Sequence, residues 1–200
     1  SDFGPMELYE SDRYSFSIQH PMGWESLNVD PQDLTAGWAT QEGSAFTISE
    51  EDLVAQTSES FSVAEYTDLV IAVLSANLTE FELLSSEPLL TSERFAAQVL
   101  ELTALGGFLK GQRLIYLDDS NVGFNAAYAF PANMYEEQKP LIKYSFGTFE
   151  TQIEAITERG GPNDGWTVEA LNPSSAGPAN RRKLSVWSRS ELVSLPDSNR

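Results

Sequence analysis

A single amphipathic helix, set between runs of strand-forming residues, limits the possible folds of this chain more than any other segment. Ser62-Val63-Ala64-Glu65 fits a capping box, in which the serine hydroxyl accepts the N3 amide and the glutamate reaches back to the N-cap amide. We therefore predict a helix that begins at Val63 and ends near Asn77. Its apolar residues recur at helical spacing and form one stripe, Tyr66, Leu69, Val70, Val73 and Leu74. Because strand patterns lie on both sides of it, the stripe indicates a helix that covers a sheet.

Alternating sequence precedes this helix. From Tyr14 onward apolar and polar residues alternate with the period of two that is typical of a half-buried strand. Pro21-Met22-Gly23 breaks that strand, Trp24 opens a short second one, and residues 46–49 alternate again after a turn at Glu42-Gly43. We therefore predict an early meander of three or four strands.

Four more strand-like runs follow the helix, near residues 81–90, 94–103, 112–118 and 122–130. Asp118-Asp119-Ser120-Asn121 separates the last two runs, and short polar side chains of this kind bond their own backbone in tight turns. The four runs therefore predict two hairpins.

A second helix is predicted over residues 134–146, with Pro140 either as a kink or as its true start. Phe149, Ile153 and Ile156 continue the three-four spacing, so two ends of the helix stay open, one near residue 146 and one at a stop at Gly160.

Charge divides the chain into two parts. Residues 1–156 hold 25 acidic and 6 basic residues, whereas residues 157–200 hold 5 acidic and 6 basic residues. Gly160-Gly161-Pro162 marks the change, and residues 172–178 add more Pro, Ser and Gly. We predict a domain over 1–156 and a Gly/Pro/Ser-rich tail over 157–200, which is a linker or docks on the acidic domain through Arg181-Arg182-Lys183.

Composition excludes most familiar enzyme chemistries. The chain has no cysteine and one histidine, so it cannot build a disulfide, a thiolate zinc site, a cysteine nucleophile or a multi-histidine metal centre. His20 falls at a strand end and no Gly-x-Ser-x-Gly motif supplies a nucleophile, so we interpret His20 as structural. We predict that the protein is not an enzyme and has no catalytic residues, no metal site and no cofactor.

One motif resembles a calcium loop. Asp119-Ser120-Asn121-Val122-Gly123 matches the opening of an EF-hand loop, but Ala129 stands where the loop would need a glutamate. A hairpin turn explains these residues better than a calcium site does.

The net charge of -18 restricts the partners that the chain can bind. Nucleic acid and anionic membranes carry the same sign of charge and repel it. No run of 18 apolar residues is present, so we predict no transmembrane segment. The absence of cysteine favours an extracytoplasmic protein, at the cell surface or in the periplasm, with a membrane tether through a removed N-terminal anchor; a cytoplasmic location is the alternative.

Residues 9–150 resemble the PsbP-like family, which includes Mog-type Ran-binding proteins and PsbP domains of bacterial lipoproteins. The resemblance lies in the order of the elements, beginning with the strand of Tyr14, Phe16 and Ile18, which Pro21-x-Gly23-Trp24 follows. The helix that opens Phe61-Ser62-Val63-x-Glu65-Tyr66, the late paired strands through Tyr128 and the closing Tyr144-Ser145-Phe146 complete the pattern. It implies an α+β fold, an α/β/α sandwich whose mostly antiparallel central sheet of about six or seven strands is flanked by helices.

Two functional hypotheses follow from the resemblance and the missing chemistry. The first is a non-enzymatic, PsbP-like domain that binds an unknown protein partner or acts as an accessory domain, as the soluble part of an extracytoplasmic lipoprotein or secreted protein. The second is a small-molecule or lipid-binding module, with an apolar pocket between sheet and helix. The residues predicted to line that pocket are Tyr66, Phe124, Tyr128 and Phe130.

Overall fold

A computed structural model describes residues 3–14, 16–30, 34–92 and 95–151, with backbone alone over 90–92 and 95–96. The predicted tail and its boundary near residue 157 lie outside the described residues. The elements in chain order are β1 (Met6–Glu10), β2 (Phe16–Pro21), β3 (Glu25–Ser26), β4 (Ala36–Ala39), β5 (Ala45–Asp52), α1 (Leu53–Thr57), α2 (Val63–Asn77), β6 (Glu82–Ser92), β7 (Phe95–Ala104), β8 (Leu109–Leu117), β9 (Val122–Pro131), α3 (Ala132–Gly147) and β10 (Glu150–Thr151).

Seven of these strands form one antiparallel sheet, here called the large sheet, in the order β3-β4-β5-β9-β8-β7-β6. The four strands between α2 and α3 are consecutive neighbours, which confirms the predicted hairpins and adds a β7-β8 pairing between them. The tight turn between β8 and β9 is also confirmed. Asp118 Oδ1 accepts the amides of Ser120 and Val122 at 2.9 and 2.8 Å.

The two long helices cover opposite faces of the large sheet. Even-numbered residues of β9 from Phe124 to Phe130 pack in the layer that contains Tyr135, Ile142 and Phe146 of α3. Odd-numbered residues of β9 pack in the layer that contains Tyr66, Val70 and Leu74 of α2. Because successive side chains of a strand point to opposite faces, one strand serves both layers. The predicted architecture, a mostly antiparallel sheet between helices, is therefore confirmed.

The strand predicted from Tyr14 is present as β2, but it does not pair with the strand that follows it, so the early meander consists of β3, β4 and β5 alone. Instead β2 pairs with β1 on one side and with β10 on the other, in a three-stranded small sheet. Beyond β10, the C-terminal end of α3 covers the same edge, since Thr148 Oγ1 accepts the Gln19 amide at 2.8 Å. The backbone of β2 is thus bonded on both edges, while its apolar side chains pack on the α3 face of the large sheet.

Helix α3 decides between the two predicted ends. It ends at Gly147 and does not continue toward Gly160, because Thr148 caps it and Glu150–Thr151 pair with β2 as β10. Pairing with a distant strand has replaced another helical turn. Pro140 lies inside the helix, which begins earlier, at Ala132.

The capping box of α2 is confirmed at both of its bonds. Glu65 N donates to Ser62 Oγ at 3.2 Å, and Ser62 N donates to Glu65 Oε2 at 2.8 Å. The bonds that Glu65 Oε2 accepts from the Ser62 amide and from the Ser62 hydroxyl lower the pKa of Glu65, because the ionised carboxylate is the better acceptor.

Removing the N-cap hydroxyl should destabilise the protein measurably. We expect Ser62→Ala to lower the free energy of unfolding by about 1 kcal/mol, because the Glu65 amide loses its acceptor. Chemical denaturation measures this change. Ser75→Ala, at an exposed position of the same helix, is the control and should be close to neutral. An unchanged stability of Ser62→Ala would show that the cap does not form.

Candidate functional site

The structure divides the four residues predicted to line a pocket into two groups. Phe124, Tyr128 and Phe130 lie in the layer under α3, whereas Tyr66 lies in the layer under α2, on the other side of the large sheet. All four side chains are fully buried. They therefore do not line one pocket, and ligand binding by either layer stays a prediction.

The layer under α3 is filled by aromatic rings in contact. Phe46 stacks on Tyr128 with ring centroids 4.3 Å apart, and Trp38 stacks on Phe46 at 5.7 Å. The Tyr128 hydroxyl donates to Ser145 Oγ of α3 at 3.0 Å, so even its polar atom is bonded within the layer. Such packing gives α3 a rigid attachment to the sheet.

His20 belongs to the same aromatic layer. Its ring stacks on Trp38 with centroids 3.9 Å apart, and its Nδ1 lies 3.2 Å from the carbonyl oxygen of Pro21. Burial lowers the pKa of His20, since the charged imidazolium is poorly solvated there. The His20 ring is thereby packed among aromatic side chains, and its structural role stays the prediction made from the sequence.

The layer under α2 holds a polar cluster that sequence reasoning missed. Its members are Glu51 of β5, Tyr66 of α2, Arg113 of β8 and Asn125 of β9, all buried. Arg113 Nη1 donates to Asn125 Oδ1 at 2.9 Å. Burial raises the pKa of Glu51 to about 7, and the positive charge of Arg113 opposes that rise. We name these four residues the inner cluster.

A sequence signal for the inner cluster does exist. Thr47, Ser49 and Glu51 share one face of β5, so the strand presents polar residues where a buried strand would carry apolar ones. Gly123 pairs with Glu51 across the sheet, and a Cβ at Gly123 would lie 2.5 Å from the ring of Tyr66. A glycine in a strand marks such a close approach.

No group of three or more His, Asp or Glu side chains is placed to hold a metal ion within the described parts of the chain. In the same residues, no helix is long and apolar enough to span a bilayer.

A second candidate site is the solvent-facing side of the small sheet, where β1 and β2 present alternate residues. Leu8 pairs with Gln19, and the Gln19 side chain accepts the Tyr144 hydroxyl of α3 at 3.1 Å. Two residues before Gln19 on β2, Ser17 pairs with Glu10 of β1 on one side and with Glu150 of β10 on the other. Leu8 and Tyr144 are 52% and 42% exposed, although both are large apolar side chains. We name Leu8, Gln19, Tyr144, Glu10 and Glu150 the outer patch.

Further apolar side chains extend the outer patch. The ring of Phe3 lies 5.2 Å from that of Tyr144, and Met22, whose amide bonds the Pro5 carbonyl, is 53% exposed. An apolar surface beside carboxylates is typical of a protein-binding face, which has an aromatic or aliphatic centre and a polar rim.

This arrangement, a seven-stranded antiparallel sheet between helices with a small second sheet, is a PsbP-like fold. It is shared by the solution structure of cyanobacterial PsbP (CyanoP) from Synechocystis sp. PCC 6803, with a TM-score of 0.59 at 12% sequence identity over 73% of this chain and 92% of that one. It is also shared by the Ran-binding protein Mog1p of Saccharomyces cerevisiae, with a TM-score of 0.50 at 9% identity over 76% of this chain and 98% of that one.

Sequence comparison adds nothing to this structural likeness. No protein-family model and no curated protein matches the chain. At these identities the two neighbours show the fold alone.

Proposed function

We propose that this chain is a non-enzymatic accessory domain that binds another protein through the outer patch. The observation that carries the proposal is the exposure of Leu8 and Tyr144 on one surface, on either side of Gln19. The single histidine is held in an aromatic stack, so the chain's one imidazole has a structural role. One protein of the same fold, Mog1p of Saccharomyces cerevisiae, is a Ran-binding protein.

Charge defines the class of partner. Residues 1–156 carry a net charge of -19, and Glu10 and Glu150 place two of those charges beside Leu8 and Tyr144. Complementary potentials speed protein association and select partners, so a basic protein surface with an apolar centre fits this patch.

We further propose that the domain works outside the cytoplasm, as the soluble part of a lipoprotein or secreted protein. The absence of cysteine from 200 residues supports this location. Fractionation of cells that express the native gene, with a fatty-acid label, tests it. Labelled protein in the membrane fraction is the expected result for a lipoprotein, and unlabelled protein in the extracellular or periplasmic fraction is expected for a secreted one. Recovery in the cytosol would contradict both.

Contact with the partner should be confined to the outer patch. We expect a photo-crosslinking residue at position 8 to trap one defined protein in cells of the natural source, and the same residue at position 84 to trap none. Leu84 is a matched control because it is also a leucine on a strand, 45% exposed, at the far edge of the large sheet. Equal trapping at both positions would contradict the proposal.

Affinity for the trapped protein supplies a second test. With that protein purified, we expect Tyr144→Ala to weaken binding roughly tenfold, because large aromatic side chains dominate interface energies. Leu84→Ala should leave the dissociation constant unchanged. If Tyr144→Ala binds as tightly as the original protein, the outer patch is not the docking face.

A further inference from the structure

The inner cluster contains polar atoms without a hydrogen-bond partner among the described residues. These atoms are both carboxylate oxygens of Glu51, the hydroxyl of Tyr66 and Nδ2 of Asn125. Glu51 is 4% exposed and the Tyr66 side chain is not exposed at all. An ionised carboxylate that is buried without donors is costly, whereas the neutral acid is much less so.

Helix α2 closes the cluster. The ring of Tyr66 rests on Gly123, the residue that pairs with Glu51, so this side chain of α2 lies beside Glu51. Val70 and Leu74 continue the same buried stripe of the helix onto the sheet. Lifting α2 would therefore return Glu51 to water, where its carboxyl group would ionise at an ordinary acidic pH.

We propose that Glu51 is a buried proton-binding site in the layer between α2 and the large sheet, and that release of its proton loosens the helix from the sheet. This goes beyond the proposed partner binding and does not depend on it, since the outer patch lies on the opposite side of the large sheet. The proton acts as a ligand that favours the state in which α2 is packed on the sheet.

Among the residues that the structure describes, two charged or titratable groups face Glu51. Arg113 comes from β8, and Tyr66 comes from α2, where burial raises its pKa well above the ordinary value and keeps it neutral. From β9 the facing residues are Gly123 and Asn125, which do not titrate. The proton equilibrium of this layer near neutral pH therefore belongs to Glu51.

The direction of the effect follows from linkage. The pKa of the Glu51 carboxyl group is about 7 when α2 is packed on the sheet, and it has the ordinary value of 4.5 when the group is in water. Between these two pKa values the state with α2 packed on the sheet binds more protons than the open state, in which α2 is lifted from the sheet. Rising pH therefore favours the open state. From pH 6 to pH 8.5 the opening of α2 should increase roughly tenfold.

Hydrogen exchange on the purified 200-residue chain tests the proposal. We expect the protection factors of the α2 amides, corrected for intrinsic exchange rates, to fall roughly tenfold from pH 6 to pH 8.5, while those of β8 and β9 change much less. Glu51→Gln, an uncharged mimic of the protonated acid, should abolish the pH dependence.

Glu50→Gln is the matched control. Glu50 is the neighbouring residue of β5 on the other face, where Ser11 Oγ donates to its carboxylate at 2.8 Å, so this variant should keep the pH dependence of α2. An equal fall in protection in Glu51→Gln would overturn the proposal, and so would an equal fall throughout the protein. A carbon-13 titration that places the Glu51 carboxyl midpoint near 4.5 would overturn it as well.

Discussion

Phe16→Ala should lower the free energy of unfolding by about 3 to 5 kcal/mol, because the lost ring leaves a cavity that the rigid layer under α3 cannot fill. The Phe16 ring is 1% exposed and contacts the rings of Phe124, Phe149 and Tyr116, with centroids 5.2, 6.1 and 6.0 Å apart. It thereby joins the small sheet to the large one. Urea denaturation followed by circular dichroism measures the change.

Leu8→Ala is the control for that experiment. Leu8 lies on the strand that pairs with β2, but half of its surface faces solvent, so its loss should cost well under 1 kcal/mol. If Phe16→Ala were as mild as Leu8→Ala, the small sheet would not be packed on the large sheet as described.

Gly111→Ala is expected to lower stability by about 3 kcal/mol, at the upper end of what overpacking usually costs. A Cβ at Gly111 would collide with the carbonyl oxygen of Tyr128 on the neighbouring strand β9. That oxygen belongs to the backbone at the centre of the large sheet, so it cannot move aside as a flexible side chain would. The shift in the urea midpoint reports the loss.

Gly147→Ala distinguishes this collision from a general effect of replacing glycine. Gly147 is the last residue of α3, and a Cβ there would meet no atom within 4 Å. Alanine favours the helix over glycine, so we expect this variant to be neutral or more stable by a few tenths of a kcal/mol. A Gly111→Ala protein as stable as Gly147→Ala would contradict the close approach of β8 and β9.

Sequence alone could predict the elements that depend on local chemistry. The capping box places the start of α2 because its two bonds join residues three apart. The turn at Asp118 is equally local, since that side chain bonds amides two and four residues ahead. The two-sided core follows from the alternation in β9.

Pairings between distant residues could not be predicted. The strand β2 bonds to β10, which lies more than 130 residues further along the chain, and no local pattern distinguishes that partner from β3. The same pairing ends α3 at Gly147, although the apolar spacing continues past it. Periodicity therefore predicts that β2 is a strand, but it does not predict which sheet the strand joins.

The candidate sites show the same limit. Parity along β9 places Phe124, Tyr128 and Phe130 on one face, but nothing in the sequence says which face α2 covers, so Tyr66 was grouped with the wrong layer. The inner cluster needs four elements to be brought together before Glu51 and Arg113 face each other. The outer patch depends on the pairing of β1 with β2, which the sequence did not predict.

All of these inferences require α2 and α3 to lie on opposite faces of the large sheet. Because the chain has no cysteine, spin labels can be attached at Ala72→Cys on α2 and Glu137→Cys on α3, two exposed positions. Two packed layers separate the helix axes by about 20 Å, and the outward-facing labels should lie about 30 Å apart or more. Helices packed side by side on one face would bring the labels within about 20 Å, and that distance would contradict the sandwich.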